Sequence, residues 1–260
     1  MRTNDKQLTL ITGASASIGR EMAKVFAEAG HDLILVARSE AKLKALASEL
    51  KTAHGVQCTS IASDLAVSGA PAKLFDRVIA KGLEVGILVN NAGVLHEGPF
   101  VDTSLADHMQ LLHLNVVALT AMTHLFLEGM LERKSGRILN LGSMAAFEPI
   151  PRLASYAASK AYVVSMTEAL TVELQGTGVT ATAMCPGFTD TELIAKGEGG
   201  KKMSLPLIPN MSPEEVARDG YRVCMQGTPL YINGMGNQLA MEFLKVQPRW
   251  LKRAFSGMIR

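Results

Sequence analysis

The sequence is short of cysteine, of aromatic residues and of any excess of one charge. Cys58, Cys185 and Cys224 are the three cysteines in 260 residues. They lie far apart, with no CxxC pair and no Cys/His spacing, which argues against a disulfide scaffold and fits a reducing, cytoplasmic compartment. The six histidines (His31, His54, His96, His108, His113 and His124) show no ligand spacing either, so no metal is expected. Lys and Arg number 26 against 24 Asp and Glu, a net charge of +2. So small a charge creates no global field to recruit nucleic acid. No run approaches the roughly 18 consecutive apolar residues of a membrane span, and the start, MRTNDKQLTLITG, is unlike a signal h-region. Neither a repeat nor a linker divides the chain, and a single domain over 1–260 is expected.

What is present is aliphatic. Hydrophobic residues make up 48% of the chain and aromatics 5%. That content excludes a disordered chain and suits strands buried beneath helices. Short apolar runs alternate with amphipathic ones. Strands are expected at Leu8–Thr12, Asp32–Ala37, Val56–Ala62, Gly86–Val89, Arg137–Leu141, Val179–Met184 and Leu230–Ile232. Helices are expected at Ile18–Ala29, Glu40–Ala53, Ala72–Lys81, Thr103–Met130 and Ala154–Gln175, with Ser212-Pro213 opening another. Single helices between continuous apolar strands imply an α/β fold. We expect a Rossmann-type, doubly wound parallel sheet of about seven strands, covered on both faces.

In such a fold ligands sit at the carboxyl ends of the strands, and the distinctive residues cluster there. After the first strand comes Thr12-Gly13-Ala14-Ser15-Ala16-Ser17-Ile18-Gly19. Small residues there let backbone amides approach a pyrophosphate at a helix N-terminus, although an ordinary strand-to-helix turn has similar spacing. After the second strand stands Arg38, with no acid until Glu40. An Arg there suits the 2′-phosphate of NADP, an acid the 2′-hydroxyl of NAD, and a solvated surface Arg is the plain alternative. Asp64-Leu65 follows the third strand, where Asp64 either accepts from an adenine amino group or makes a turn. Asn90-Asn91-Ala92-Gly93 follows the fourth. Ser143 follows the fifth, and Tyr156 and Lys160 then lie one helical turn apart, about 6 Å on one face. Bringing a Tyr pKa from about 10 to near 7 takes roughly 4 kcal/mol, which a nearby ammonium could help supply. On its own, such a Tyr/Lys pair also arises by chance.

Taken together, these residues resemble the shorter, single-domain short-chain dehydrogenase/reductase family over nearly the whole chain. The resemblance is carried by TGASASIG, Asp64-Leu65, NNAG, Asn115, Ser143, YAASK at 156–160 and PGFTDT at 186–191. It implies hydride transfer between a nicotinamide and a carbonyl/alcohol pair. Tyr156 would be the general acid or base. Lys160 would hold the ribose and depress the Tyr156 pKa, and Ser143 would bond the substrate oxygen. Asn115 would hold a relay water. The cofactor would lie against Gly13, Ser15, Ser17, Ile18, Gly19, Arg38, Asp64, Leu65, Asn91, Ala92, Gly93, Tyr156, Lys160, Pro186, Gly187, Thr189 and Thr191. Arg38 favours NADP(H) over NAD(H) and the reductive direction.

Two departures stand out. Ser17 replaces the usual glycine, where its side chain would crowd the pyrophosphate or its hydroxyl would cap the helix and donate to a phosphate oxygen. About twenty-five residues follow the last strand, and the final twenty carry five basic residues against one acidic, a net +4 with −2 left for the rest. This 236–260 extension reads as a basic amphipathic segment that covers the pocket, meets a subunit or lies on a membrane surface, the last not favoured. Segment 188–210, with Gly197, Gly199, Gly200 and Lys201-Lys202, reads as a substrate lid. The helices of Asn115 and Tyr156 are apolar nearly all round, and the resemblance suggests that they form a homodimer or homotetramer. Two further function classes remain at this stage: a catalytically silent NADP-binding regulator or scaffold, and a peripheral-membrane reductase of lipid-like carbonyls.

Overall fold

Strand β2 (Leu33–Ala37) shows how this sequence builds its sheet. All five residues are buried. Leu33 and Leu35 enter one apolar cluster, with Met22 and Phe26 of α1 (Ser17–Glu28), Leu43 and Leu46 of α2 (Glu40–His54) and Val216 of α7 (Pro213–Gln226). Ile34 and Val36 point the other way, toward Leu74 of α3 (Ala70–Ile79) and Met122 and Phe126 of α5 (Leu119–Glu132). A strand buried on both faces must be apolar throughout, which is why these strands read as runs.

A computed structural model describes residues 7–187, 189, 211–234 and 236–237. The expected lid (188–210) apart from Thr189, and nearly all of the 236–260 extension, lie outside the described residues; Thr191 is among those left out. Seven parallel strands form one sheet in the order β3-β2-β1-β4-β5-β6-β7. The others are β1 (Thr9–Thr12), β3 (Cys58–Ala62), β4 (Ile87–Asn90), β5 (Gly136–Leu141), β6 (Val179–Cys185) and β7 (Leu230–Ile232). Register runs Leu10 to Ile34, Leu10 to Leu88, Val89 to Leu139 and Leu139 to Thr182. The order reverses between β1 and β4, so the crevice of this doubly wound sheet opens above those two strands. The Rossmann-type expectation holds, with strand ends moved by one or two residues.

The expected Thr103–Met130 helix is interrupted. It runs as α4 (Leu105–Leu112), a π-helical turn over His113–Ala118, and α5. A π turn admits one extra residue and re-aims the side chains within it; here Asn115 lies in that turn, 1% exposed. Leu105–Glu132 is long and apolar enough, by length and composition, to cross a membrane. Its Leu111, Met122, Phe126 and Met130 are buried within the protein, whereas Leu105, Met109 and Val117 are exposed. The Ser212-Pro213 signal is realised as a full capping box: Ser212 Oγ accepts from Glu215 N at 3.2 Å, and Glu215 accepts from Ser212 N at 2.8 Å.

Candidate active site

The β1–β4 crevice is stitched by two side chains. Thr12 Oγ1 donates to Val89 O at 3.2 Å and accepts from the amides of Asn91 and Ala92, each at 3.0 Å. Asn91 Nδ2 donates to Thr12 O at 2.9 Å and reaches Gly13 O at 3.4 Å. Asn91 therefore shapes the turn that follows β1. Gly13 takes φ +69°, and a Cβ on Gly19 would run into the Gly13 carbonyl and the Asn91 amide. The turn and the first coil of α1 are thus in backbone contact, a cradle open to a pyrophosphate at a helix N-terminus.

No side chain caps α1; its N-cap is Ala16. Of the two alternatives expected for Ser17, the helix cap is thereby corrected. Ser17 is already the first helical residue, with φ +46°. That is glycine's territory, and a Cβ there costs of order 1 kcal/mol. The strain explains why glycine is usual at this position, and the uncapped first-turn amides remain directed at an anion.

The other residues expected to meet the cofactor follow the ends of β2 and β3. Arg38 is exposed at the end of β2 and forms no side-chain hydrogen bond or ion pair among the described residues. Next to it, Ser39 caps α2, accepting from Lys42 N at 3.4 Å. Asp64 makes a turn through Oδ1, which accepts from Ala66 N at 3.1 Å. Leu65 is a core residue, 6% exposed. An uncapped helix N-terminus and a glycine cradle suit the pyrophosphate of a dinucleotide such as NAD(P), and Arg38 stands beside the site without an ion pair among the described residues; the residues present fit the group.

The reactive residues meet at the ends of β4 and β5. Asn115 grips Val94 at both backbone atoms, accepting from its N–H at 2.9 Å and donating to its carbonyl at 3.0 Å. Its amide also donates to Ser159 Oγ at 3.2 Å, and Ser159 donates to Tyr156 O at 2.7 Å. A Cβ on Gly93 would lie 3.3 Å from Asn115 Oδ1 and 3.8 Å from Lys160 Nζ, so both flank that glycine. On α6 (Ala154–Glu173), Lys160 is buried and donates to Leu141 O at 2.7 Å. Its Nζ lies 5.8 Å from the Tyr156 ring centre. Ser143 caps a short 3-10 turn, Met144–Ala146, accepting from Ala145 N at 3.1 Å, and it lies close enough to the Tyr156 phenol to pull its pKa down against burial.

Electrostatics at this centre differ from the expectation that Lys160 depresses the Tyr156 pKa. Burial pushes the Tyr156 phenol above its ordinary 10.0, with Ser143 opposing and Cys185 adding. Burial pulls Lys160 down from 10.5 to about 8, with Cys185 opposing. Desolvation is the largest influence on each group, although Tyr156 as a whole is only half-buried where Lys160 is buried. The phenol is therefore held protonated through neutral pH.

Sequence reading singled out Asn90 but missed its partners Thr123, Asn140 and Thr167. Asn90 Nδ2 donates to Thr123 at 3.0 Å and to Asn140 Oδ1 at 2.9 Å, and Asn140 donates to Thr167 at 2.9 Å. This buried chain joins α5, β4, β5 and α6, the elements around the reactive groups. Its only sequence signal is polar residues inside apolar strands. After β6, Met144 N donates to Pro186 O at 3.1 Å, and Thr189 Oγ1 donates to Gly187 O at 3.1 Å.

Comparison with known proteins agrees with this geometry. The short chain dehydrogenase family model matches residues 7–200. The chain belongs to the short-chain dehydrogenase family of oxidoreductases, whose members bind NAD(P) and act on small molecules. It is 34% identical over 215 residues to a very-long-chain 3-oxoacyl-CoA reductase of Anas platyrhynchos, covering 80% of this chain and 66% of that one. It is 31% identical over 245 residues to the inactive hydroxysteroid dehydrogenase-like protein 1 of Pongo abelii, covering 93% and 72%. The chain thus spans about two thirds of the length of such curated relatives. Among solved structures, a short-chain dehydrogenase from Sphingobium yanoikuyae in complex with NADPH is similar over 98% of this chain and 96% of that one, with TM-score 0.83 and 30% identity.

Proposed function

We propose that the protein is an NADP(H)-dependent reductase that converts a ketone or aldehyde to an alcohol, with Tyr156 as the proton donor. The observation that carries this reading is the meeting of three groups: the Tyr156 phenol, Ser143 close enough to act on it, and buried Lys160 with its Nζ 5.8 Å from the Tyr156 ring centre. A protonated phenol is the form that reduction needs. The bound nicotinamide would supply the hydride. Ser143 holds the substrate oxygen against the Tyr156 hydroxyl, which gives it a proton as negative charge develops. Lys160 holds the cofactor ribose, and Asn115, fixed on Val94, orients the water that returns the proton. Pro186, Gly187, Thr189 and Thr191 place the nicotinamide amide.

Arg38 supports NADP(H) over NAD(H). Equilibrium titration at fixed salt is expected to show NADPH binding at least about tenfold tighter than NADH, a difference of roughly 1.4 kcal/mol. Arg38→Leu should weaken NADPH by about ten- to a hundredfold and leave NADH within about threefold, the size of a charge-assisted phosphate contact. Equal losses for both cofactors would sink the assignment. The names of the relatives set the first carbonyl screen, 3-oxoacyl-CoA thioesters and steroid ketones. The relative called inactive keeps a silent, cofactor-binding reading in play, and substrate-dependent NADPH oxidation decides between the two.

Val117, Tyr162 and Val172 are exposed on the π turn and α6, at 53%, 40% and 64%. We assign that apolar face to a homodimer or homotetramer; light scattering on the purified chain reads the state, and a monomer at micromolar concentration would overturn it. The free cysteines support a reducing, cytoplasmic setting.

A further inference from the structure

Gly187 is a glycine without a conformational reason. Its φ is not among the positive ones. The three nearest atoms that a Cβ built on it would meet all belong to the Asn237 side chain: it would run into Nδ2 and lie 3.1 Å from Cγ and 3.3 Å from Oδ1. Asn237 is 3% exposed, and its Nδ2 donates to Asn233 O at 2.7 Å. Asn233, fully buried, is tied in turn to β6 and α7. Its N–H donates to Cys185 O at 3.3 Å, and its Nδ2 donates to Asp219 Oδ2 at 2.9 Å. Both asparagines bury a side-chain carbonyl oxygen with no hydrogen-bond partner among the described residues, an arrangement that costs stability. On the same turn Thr189 bridges to Met211, whose Sδ would lie 3.7 Å from a Cβ on Gly234.

We propose that Asn237 is a positioning residue for cofactor binding: its carboxamide, aimed by Asn233, backs the Pro186-Gly187 turn and fixes where that turn meets the nicotinamide. The requirement for glycine at 187 is then the footprint of Asn237. This rests on the reading of Pro186–Thr189 as the nicotinamide-facing segment. Residue 237 also leads directly into the basic C-terminal sequence, so the chain's route to that segment passes over the back of the cofactor site.

The test is a double-substitution cycle on the full chain, read by NADPH titration and by KM for NADPH against kcat. Gly187→Ala should weaken NADPH by roughly ten- to a hundredfold through overpacking against the amide. Asn237→Ala should weaken it by about fivefold and raise KM for NADPH more than it lowers kcat. The double variant should bind NADPH better than Gly187→Ala alone, because removing the amide makes room for the methyl group. Additive losses in the cycle would overturn the proposal. So would an Asn237→Ala variant whose thermal midpoint falls while its NADPH affinity stays at the parental value, since that is a structural role only. If Gly187→Ala fails to fold by circular dichroism, Asn237→Ala against Asn237→Gln decides, and Gln, too long for the gap, must not restore affinity. A parent protein that binds no NADPH defeats the functional reading instead and is seen before any variant is made.

Discussion

Replacing Tyr156 by Phe is expected to cut NADPH-dependent carbonyl reduction by about a thousandfold, within the range general acid catalysis supplies. NADPH affinity should stay within about threefold, because the lost hydroxyl serves the transition state and not the bound cofactor. The burial of the phenol adds a pH signature. Since burial raises the Tyr156 pKa above 10.0, the donor stays loaded across neutral pH and reduction should be flat there. Lys160 titrates near 8, so reduction should decline above that pH as the ammonium loses its charge. Alcohol oxidation, which starts from the phenolate, should instead climb with pH. Initial rates in both directions from pH 6 to 10 measure this. A Phe variant that keeps more than about a tenth of the parental turnover would remove Tyr156 from the chemistry and bring the silent, cofactor-binding reading forward.

How much of this was legible beforehand follows from the physics of each element. β2 declared itself because a strand covered on both faces must be apolar throughout. Ser212-Pro213 declared its helix because capping is local chemistry. The π turn at His113–Ala118 gave no such sign. Its cause is tertiary, the two-point grip of Asn115 on Val94, twenty-one residues away in sequence. Ser17 was readable as a departure, but of its two expected effects, crowding the pyrophosphate or capping the helix, the cap is not made, because Ser17 at φ +46° is already the first helical residue. The Asn90–Asn140 link was invisible because a pairing across two strands depends on register. The direction of the Tyr156 pKa was misjudged for a related reason: spacing shows that a lysine is near, whereas burial decides whether its charge survives.

That buried lysine sets up an opposition between stability and activity. Lys160 is 6% exposed and its Nζ has one carbonyl partner, Leu141 O. Burial lowers its pKa from 10.5 to about 8. Between those values the unfolded chain binds more protons than the folded one, so stability rises with pH across that window. Below pH 8 the penalty is present in full, and the gap corresponds to roughly 3 kcal/mol. Lys160→Met keeps an apolar stem of similar bulk and removes the charge. It also leaves the Leu141 carbonyl without its donor, which costs about 1 kcal/mol. The variant is therefore expected to be more stable than the parent by about 2 kcal/mol at pH 7, with that advantage fading toward pH 10. Its reductase turnover should fall by at least about a hundredfold, because the ribose contact and the proton path are lost together. Urea midpoints at pH 7 and pH 10, paired with initial rates, measure both sides. A lower midpoint for the variant at pH 7 would mean that Lys160 is held charged by an attraction stronger than the desolvation that opposes it.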